Sequence, residues 1–272
     1  MLKQITLHGR PYESRQRICC IQEAHQHVVE ECQLLRTEAA AFSEFCTRVD
    51  AIDCDPRPQV GSPNVATHDT VTSHGNSASR QRETPIRDAY VETIMATPHY
   101  ESEYGDSYWE SVAAEFGNEF VMLLKQAAAI PPSLQQQVLT AAQQAKTQRK
   151  QLLARLKQEA AALETANAEL QTVAEELTAL RTRPLYDCTP AELCHLCEDI
   201  DDLHAQCEDV AVRRQSGDLT VQPLGASLDG NRQLTGYFYE ELPTTHPVLY
   251  AVATISQELT SMQDTITTIR DQ

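Results

Sequence analysis

The sequence predicts an all-α protein built from long helices that pack side by side. Apolar residues recur at alternating steps of three and four over 18–49, 152–180, 193–210 and 248–269. A mean step of 3.5 residues keeps each apolar stripe facing a neighbouring helix. Few glycines and only 6% aromatic residues favour helices packed through Leu, Val and Ala. The expected architecture is a long antiparallel helical hairpin, packed as a coiled coil, with a cluster of short helices and flanking N- and C-terminal helices.

The first half of the chain divides into three segments. Residues 1–53 are predicted to form an N-terminal helix carrying the first heptad stripe, which ends before two closely spaced prolines because proline cannot donate to the helix. Residues 54–84 are rich in Ser, Thr, Pro, Asn and Gly and bury too little to order themselves, so they are predicted to be a disordered linker. Thr84-Pro85 then begins a cluster of short helices over 85–130, the only part rich in aromatic residues.

Residues 131–217 are predicted to form the long hairpin. Its first helix extends over about 50 residues, or about 75 Å at 1.5 Å per residue. Thr189 followed by Pro190 and Glu192 has the pattern of a helix cap and predicts the start of the second helix. Because the connection between the two helices is so short, they are expected to be antiparallel.

The last part of the chain is predicted to contain an irregular connection and a final helix. Residues 218–244 lack a helical period, and Asp229-Gly230-Asn231 suggests a small hairpin there. Residues 245–272 carry the fourth apolar stripe after Pro247 and are predicted to form the C-terminal helix.

Charge and composition limit the partners and the compartment. The net charge is −17, and an acidic surface repels phosphate backbones, so nucleic acid is a poor partner. The acidity and the scarcity of lysine suggest adaptation to high salt. No apolar run approaches the roughly 20 residues needed to cross a bilayer, so no membrane contact is expected. Residues 1–10 lack the apolar core of a signal peptide, and thiols at stripe positions favour a reducing cytoplasm.

Several short motifs resemble one known family. They are Arg87-Asp88-Ala89-Tyr90-x-Glu92-Thr93-x-Met95, Pro98-His99-Tyr100, Glu103-Tyr104, Glu115-Phe116-Gly117, Tyr239-x-x-Leu242 and Pro247-Val248-Leu249. Together they resemble an uncharacterised family of halophilic archaeal proteins, defined as a domain of unknown function, over roughly residues 85–272. The resemblance implies a cytoplasmic, helical, coiled-coil protein from a high-salt organism. It supplies no catalytic or binding residue, and it leaves the first helix and the linker outside the shared part.

The cysteines of the predicted hairpin offer one candidate metal site. Cys194 and Cys197 have the spacing of a zinc-ligand pair, and Cys188 is the nearest third ligand. His204 is ten residues from Cys194, about 15 Å along a helix, and cannot reach the same ion. Ordinary thiols are therefore the preferred interpretation, with no metal and no cofactor expected. A redox role for the pair is equally weak, since the βαβ setting of such motifs is missing.

The aromatic stretch of the short-helix cluster gives a candidate pocket. It comprises His99, Tyr100, Glu103, Tyr104 and Trp109. On a functional interpretation His99 is a general base and Glu103 its partner. On the preferred structural interpretation the aromatics close a small helical core, and no residue is assigned a catalytic role.

The leading functional hypothesis is a non-enzymatic coiled-coil scaffold or protein-interaction module that self-associates or binds another helical protein. The stripe of the first helix would need another chain if that helix does not fold back across the linker. A basic run over 146–157, on the exposed part of the long helix, and an acidic face over 198–209 suggest charge pairing within or between chains.

Two alternatives belong to other classes. The first is a transcription-regulator-like protein that binds nucleic acid and dimerises through its coiled coil, although no basic residue lies between Arg87 and Lys125 to read DNA. The second is a zinc or redox protein using Cys194 and Cys197.

Overall fold

The computed structural model describes residues 12–53, 84–127, 130–216, 239–240 and 242–272. Nearly all of the predicted linker, and the small hairpin predicted around Asp229, lie outside the described residues. Within the described ranges all regular structure is helical and no strand occurs, so the expected all-α class with long and short helices is confirmed.

Three long helices and one of 24 residues dominate the chain, and the shorter ones lie between the first two long helices. The helices are α1 (Tyr12–Asp50), α2 (Thr84–Thr93), α3 (Tyr100–Glu103), α4 (Tyr108–Phe116), α5 (Asn118–Gln126), α6 (Pro132–Arg181), α7 (Pro190–Ser216) and α8 (Pro247–Arg270). Prolines begin α6, α7 and α8, where the missing N–H costs nothing. The predicted cap at Thr189 is present: Thr189 N donates to the Glu192 carboxylate at 2.7 Å, and Glu192 N donates to Thr189 Oγ1 at 3.3 Å.

The four predicted stripes are buried within this chain. Ile21 and Val28 of α1 are completely buried, as are most stripe positions of α6, α7 and α8. His25 and Cys46 are only half-buried, and their neighbours Ala24 and Phe45 take the core positions. The α1 stripe is therefore covered within this chain, so the condition under which it would need a second chain is not met. Knobs-into-holes packing along the stripes stays a prediction.

The chain forms two compact units, and the first contains the described residues from 32 to 154. Its core is a layer of aromatic rings packed edge to face. The Phe45 and Tyr90 rings are 5.4 Å apart, and the Tyr90 and Tyr108 rings are 5.6 Å apart. Gly117, at φ +91°, joins α4 to α5 in a conformation that suits glycine.

The second unit contains the described residues 12–31 and those from 155 onward. The part of α6 within it and α7 form the predicted antiparallel hairpin, joined by a 3₁₀ turn over Leu185–Asp187. The final helix, α8, packs along α7 in the opposite direction, where Gln263 Nε2 donates to Asp201 Oδ1 at 2.8 Å.

None of the helices in the described ranges combines the length and the apolar content needed to cross a bilayer. A location in the cytoplasm stays a prediction.

Candidate functional site

Charged side chains converge inside the first unit in what we call the Arg149 cluster. It contains Glu38 from α1, His99 from the turn before α3, Tyr104 from the end of α3, Glu115 from α4 and Arg149 from α6. These side chains thus come from α1, from the segment that contains α3, from α4 and from α6, and they lie around the single guanidinium of Arg149.

Arg149 joins the two carboxylates of the cluster. Its Nε donates to Glu38 Oε2 at 2.5 Å, and its two terminal nitrogens bind the Glu115 carboxylate in the forked geometry that arginine favours. Its guanidinium also lies 4.4 Å from the centroid of the Phe42 ring. The side chains of Arg149 and Glu38 are only 8% and 10% exposed, so this ion pair is buried.

The second oxygen of Glu38 is also occupied. Glu38 Oε1 accepts a hydrogen bond from the Tyr104 hydroxyl at 2.8 Å and lies 3.2 Å from His99 Nε2. Half of Tyr104 is exposed, but its hydroxyl end points inward. Both oxygens of this buried carboxylate therefore have partners, which is the arrangement that burial of a charge requires.

Two members of the cluster, Tyr104 and Arg149, are held as hydrogen-bond donors. Burial and the negative charge of Glu38 raise the pKa of Tyr104, which keeps the phenol a hydrogen-bond donor. Burial opposes the charge of Arg149, but the carboxylates of Glu115 and Glu38 outweigh burial and raise the pKa of the guanidinium. Tyr104 and Arg149 thus act as permanent donors to Glu38 rather than as groups that exchange protons near neutral pH.

A small cavity adjoins the cluster. Its volume is about 60 Å³, and Phe42, Ile94, Tyr100 and Ser111 contribute to its walls. This volume is well below the roughly 300–1,000 Å³ that sites for small ligands usually have. This cavity can complete a hydrogen-bond network but cannot enclose a substrate.

The predicted pocket residues are only partly brought together. His99, Tyr100 and Tyr104 lie around the cluster and its cavity, but Glu103 is exposed and the carboxylate beside His99 is Glu38. The pairing of His99 with Glu103 is therefore not observed. Trp109 packs on the neighbouring Tyr108 ring, and the Lys125 ammonium lies 4.7 Å from its ring centroid.

Sequence reasoning missed Glu38, Glu115 and Arg149. The sequence does contain a signal for Glu38 and Arg149. Glu38 stands three residues after Leu35, and Arg149 stands four after Ala145, so each charge sits at the spacing of a buried stripe. The basic run over 146–157 was expected on the exposed part of the helix, but Arg149 is buried because two carboxylates face it.

A second buried ion pair lies in the other unit. The Arg214 guanidinium donates to both oxygens of Glu159, at 2.9 and 2.6 Å, and the Tyr239 hydroxyl donates to the same carboxylate. Tyr239 is completely buried. Burial and the charge of Glu159 raise the pKa of Tyr239. This contact fastens Tyr239, which precedes α8 by eight residues, to the hairpin formed by α6 and α7.

The cysteine candidates do not assemble a ligand set. Cys194 is exposed, Cys197 is half-buried, and Cys188 Sγ lies 3.6 Å from the carbonyl of Pro184. Burial raises the pKa of the Cys197 thiol. Among the residues that the structure describes, no group of three or more His, Cys, Asp or Glu side chains is placed to hold a metal ion.

Two open grooves mark the surface. The basic groove, of about 670 Å³, runs between α1 and α6 in the first unit, and its lining includes Arg36, Ala40, Ser43, Lys146, Lys150 and Leu153. The alanine groove, of about 470 Å³, runs between α6 and α7 in the second unit, and its lining includes Ala161, Ala162, Thr165, Ala166, Val210 and Arg213. Both grooves have floors of small side chains and are open to solvent.

No curated protein and no solved structure matches this chain. The family described as Domain of unknown function (DUF7260) matches residues 20–263. The match begins inside α1, so most of the first helix and the linker lie within the shared region and not outside it as expected. The halophilic archaeal origin stays a prediction. Because the match covers most of its length, the chain belongs to the DUF7260 family.

Proposed function

We propose that the protein is a non-enzymatic helical interaction module that binds another protein chain through the open grooves between its helices. The observation that carries the proposal is the division between buried and open surfaces. The apolar stripes are occupied inside the chain, while the basic groove and the alanine groove remain open.

The shape of both grooves suits a protein helix better than a metabolite. Sites for small ligands usually enclose about 70–90% of the ligand surface, which an open trough cannot do. An amphipathic helix laid in a groove needs a long floor and contacts at successive turns. Small side chains such as Ala40 and Ser43, or Ala162 and Ala166, let a docked helix approach closely.

The two alternatives have less support. The burial of Arg149 removes one cation from the basic run, and the net charge of −17 opposes nucleic acid. A zinc or redox role would depend on Cys194 and Cys197, whose surroundings on α7 offer no further ligand among the described side chains.

The proposal is tested by filling each groove. Ala40→Trp fills the basic groove and Ala162→Trp the alanine groove, while Ala253→Trp places the same bulk on the exposed face of α8 as a matched control. Each variant is measured by chemical crosslinking with mass spectrometry, with the purified chain and with cell extract. We expect at least one groove variant to lose about 90% of the crosslinks to a second protein chain. This loss corresponds to a tenfold weaker binding, or a cost of about 1.4 kcal/mol in binding free energy.

Two results would reject the proposal. One is a wild-type chain that forms no specific crosslink to any protein chain. The other is an equal crosslink yield in all three tryptophan variants and in the wild type.

A further inference from the structure

We propose that the basic groove receives the outer face of α7 from a second copy of this chain. The inference rests on the proposed interaction function and names the partner. It starts from charge, because the basic groove gathers three cations on a chain whose net charge is −17.

Within the part of the chain that the structure describes, the cations of the basic groove form no ion pair. Arg36 and Lys150 are exposed, and neither forms an ion pair with any residue that the structure describes. Lys146 donates only to the hydroxyl of Ser43, at 2.9 Å. The acid in the lining, Glu44, is already paired with Arg48 at 2.7 Å. The groove therefore presents a net positive field that attracts carboxylates.

The outer face of α7 offers the complementary charge. We define it as the residues that repeat at steps of three and four on the side away from the buried stripe: His195, Glu198, Asp202, Ala205, Asp209 and Val212. All six are exposed, and Val212 leaves 57% of its surface open to solvent. Asp202 has no ion-pair partner within the described ranges, and Glu198 has only the exposed His195.

The spacing of the charges matches between the two surfaces. Lys146 and Lys150 are one helical turn apart on α6, and Glu198 and Asp202 are one turn apart on α7. Each pair spans about 6 Å along its helix axis, so two lysines can face two carboxylates across one interface. Ala205 continues the outer face with a side chain small enough for a close helix approach. A second copy is the preferred occupant because the same chain carries both surfaces.

The contact joins two different patches, which limits the assemblies it can make. Two copies close into a dimer if each groove receives the α7 of the other, and otherwise successive copies form an open chain. The sedimentation coefficient distinguishes these assemblies, and either one agrees with the proposal.

A charge exchange tests the contact in the full-length chain. Lys150→Glu reverses a groove cation, Asp202→Lys reverses an acid of the outer face, and Lys157→Glu is a matched control on the exposed surface of α6 outside the groove. Sedimentation velocity is measured at the lowest salt that preserves the native Trp109 fluorescence, because the Debye length shrinks to about 3 Å at 1 M salt. We expect Lys150→Glu and Asp202→Lys each to weaken self-association at least tenfold, while Lys157→Glu changes it less than about threefold. The double variant that combines Lys150→Glu with Asp202→Lys should recover most of the wild-type affinity.

Each of the following results would overturn the inference that a second copy occupies the basic groove. A wild-type chain that is monomeric at every salt concentration excludes the second copy. So does self-association that neither reversal weakens, or that the double variant fails to restore. If the chain captures a different protein and Ala40→Trp abolishes that capture, the groove has another occupant. The same conclusion holds if the chain captures duplex DNA and Lys150→Glu abolishes that capture. If the chain is monomeric but the tryptophan variants lose crosslinks to a different protein, only the inference fails; if no protein crosslinks at all, the proposed function fails with it.

Discussion

Replacing Arg149 by methionine is the sharpest test of how the first unit is held together. The substitution keeps a flexible chain of similar length over Phe42 but removes the guanidinium. It leaves the buried Glu38 carboxylate and the half-buried Glu115 carboxylate without their shared cation. Burial of unpaired charge then opposes folding.

The expected cost follows from the degree of burial. The side chains of Arg149 and Glu38 are 8% and 10% exposed, so the pair belongs with interior ion pairs and not with surface pairs. Removing one member of a buried pair typically costs about 3–5 kcal/mol. At a urea dependence of about 2 kcal/mol/M, the unfolding midpoint falls by about 2 M.

The chain contains a suitable reporter for this unit. Trp109 is its only tryptophan and lies in the same compact unit as Arg149. Urea unfolding followed by tryptophan fluorescence therefore reports the loss of this unit specifically. The control is Arg48→Met, which breaks the exposed pairs with Glu44 and Glu92 in the same unit and is expected to leave the midpoint nearly unchanged.

The reasoning would be refuted if Arg149→Met shifted the midpoint no more than Arg48→Met. That result would mean that the cluster is solvated, or that the two carboxylates are neutralised in the folded protein without loss of stability.

Four further predictions concern the folded state. Tyr239→Phe removes a donor to the buried Glu159 carboxylate and should cost about 1.5–3 kcal/mol in urea unfolding followed by circular dichroism. The pKa of Tyr239 is raised in the folded state, so ionisation of this phenol favours unfolding as the pH rises above the ordinary tyrosine pKa near 10. The wild type should therefore lose more stability than Tyr239→Phe between pH 8 and pH 11. Gly117→Ala should cost about 1–3 kcal/mol by the Trp109 assay, through backbone strain alone, since a Cβ there meets no atom within 4 Å. In the native chain a thiol reagent should modify the exposed Cys194 within minutes and leave the buried Cys207 unmodified, as peptide mass spectrometry will show.

Local rules explain which features were predictable. Prolines and the Thr189 cap act within a few residues, so the starts of α6, α7 and α8 were readable to within about two positions. The 3.5-residue period likewise identified the buried face of each long helix, because burial follows the repeat of the helix itself.

Partners across the chain were not predictable in the same way. Glu38 and Arg149 are 111 residues apart, and a periodic pattern says which side of a helix is buried but not which helix covers it. The sequence therefore left open what covers the α1 stripe, and the basic run that contains Arg149 was expected on the exposed part of the long helix. A charged residue at the spacing of the buried apolar stripe, in each of two helices, is the pattern that indicates a buried ion pair.

The most direct test of the account is a zero-length crosslink between copies. Equal amounts of unlabelled and ¹⁵N-labelled chain are mixed and treated with a carbodiimide, which joins a lysine to a carboxylate in contact with it. The account predicts crosslinked peptides of mixed isotope composition that link Lys146 or Lys150 to Glu198 or Asp202. Crosslinks confined to peptides of a single isotope, or mixed crosslinks that avoid both the basic groove and α7, would contradict it.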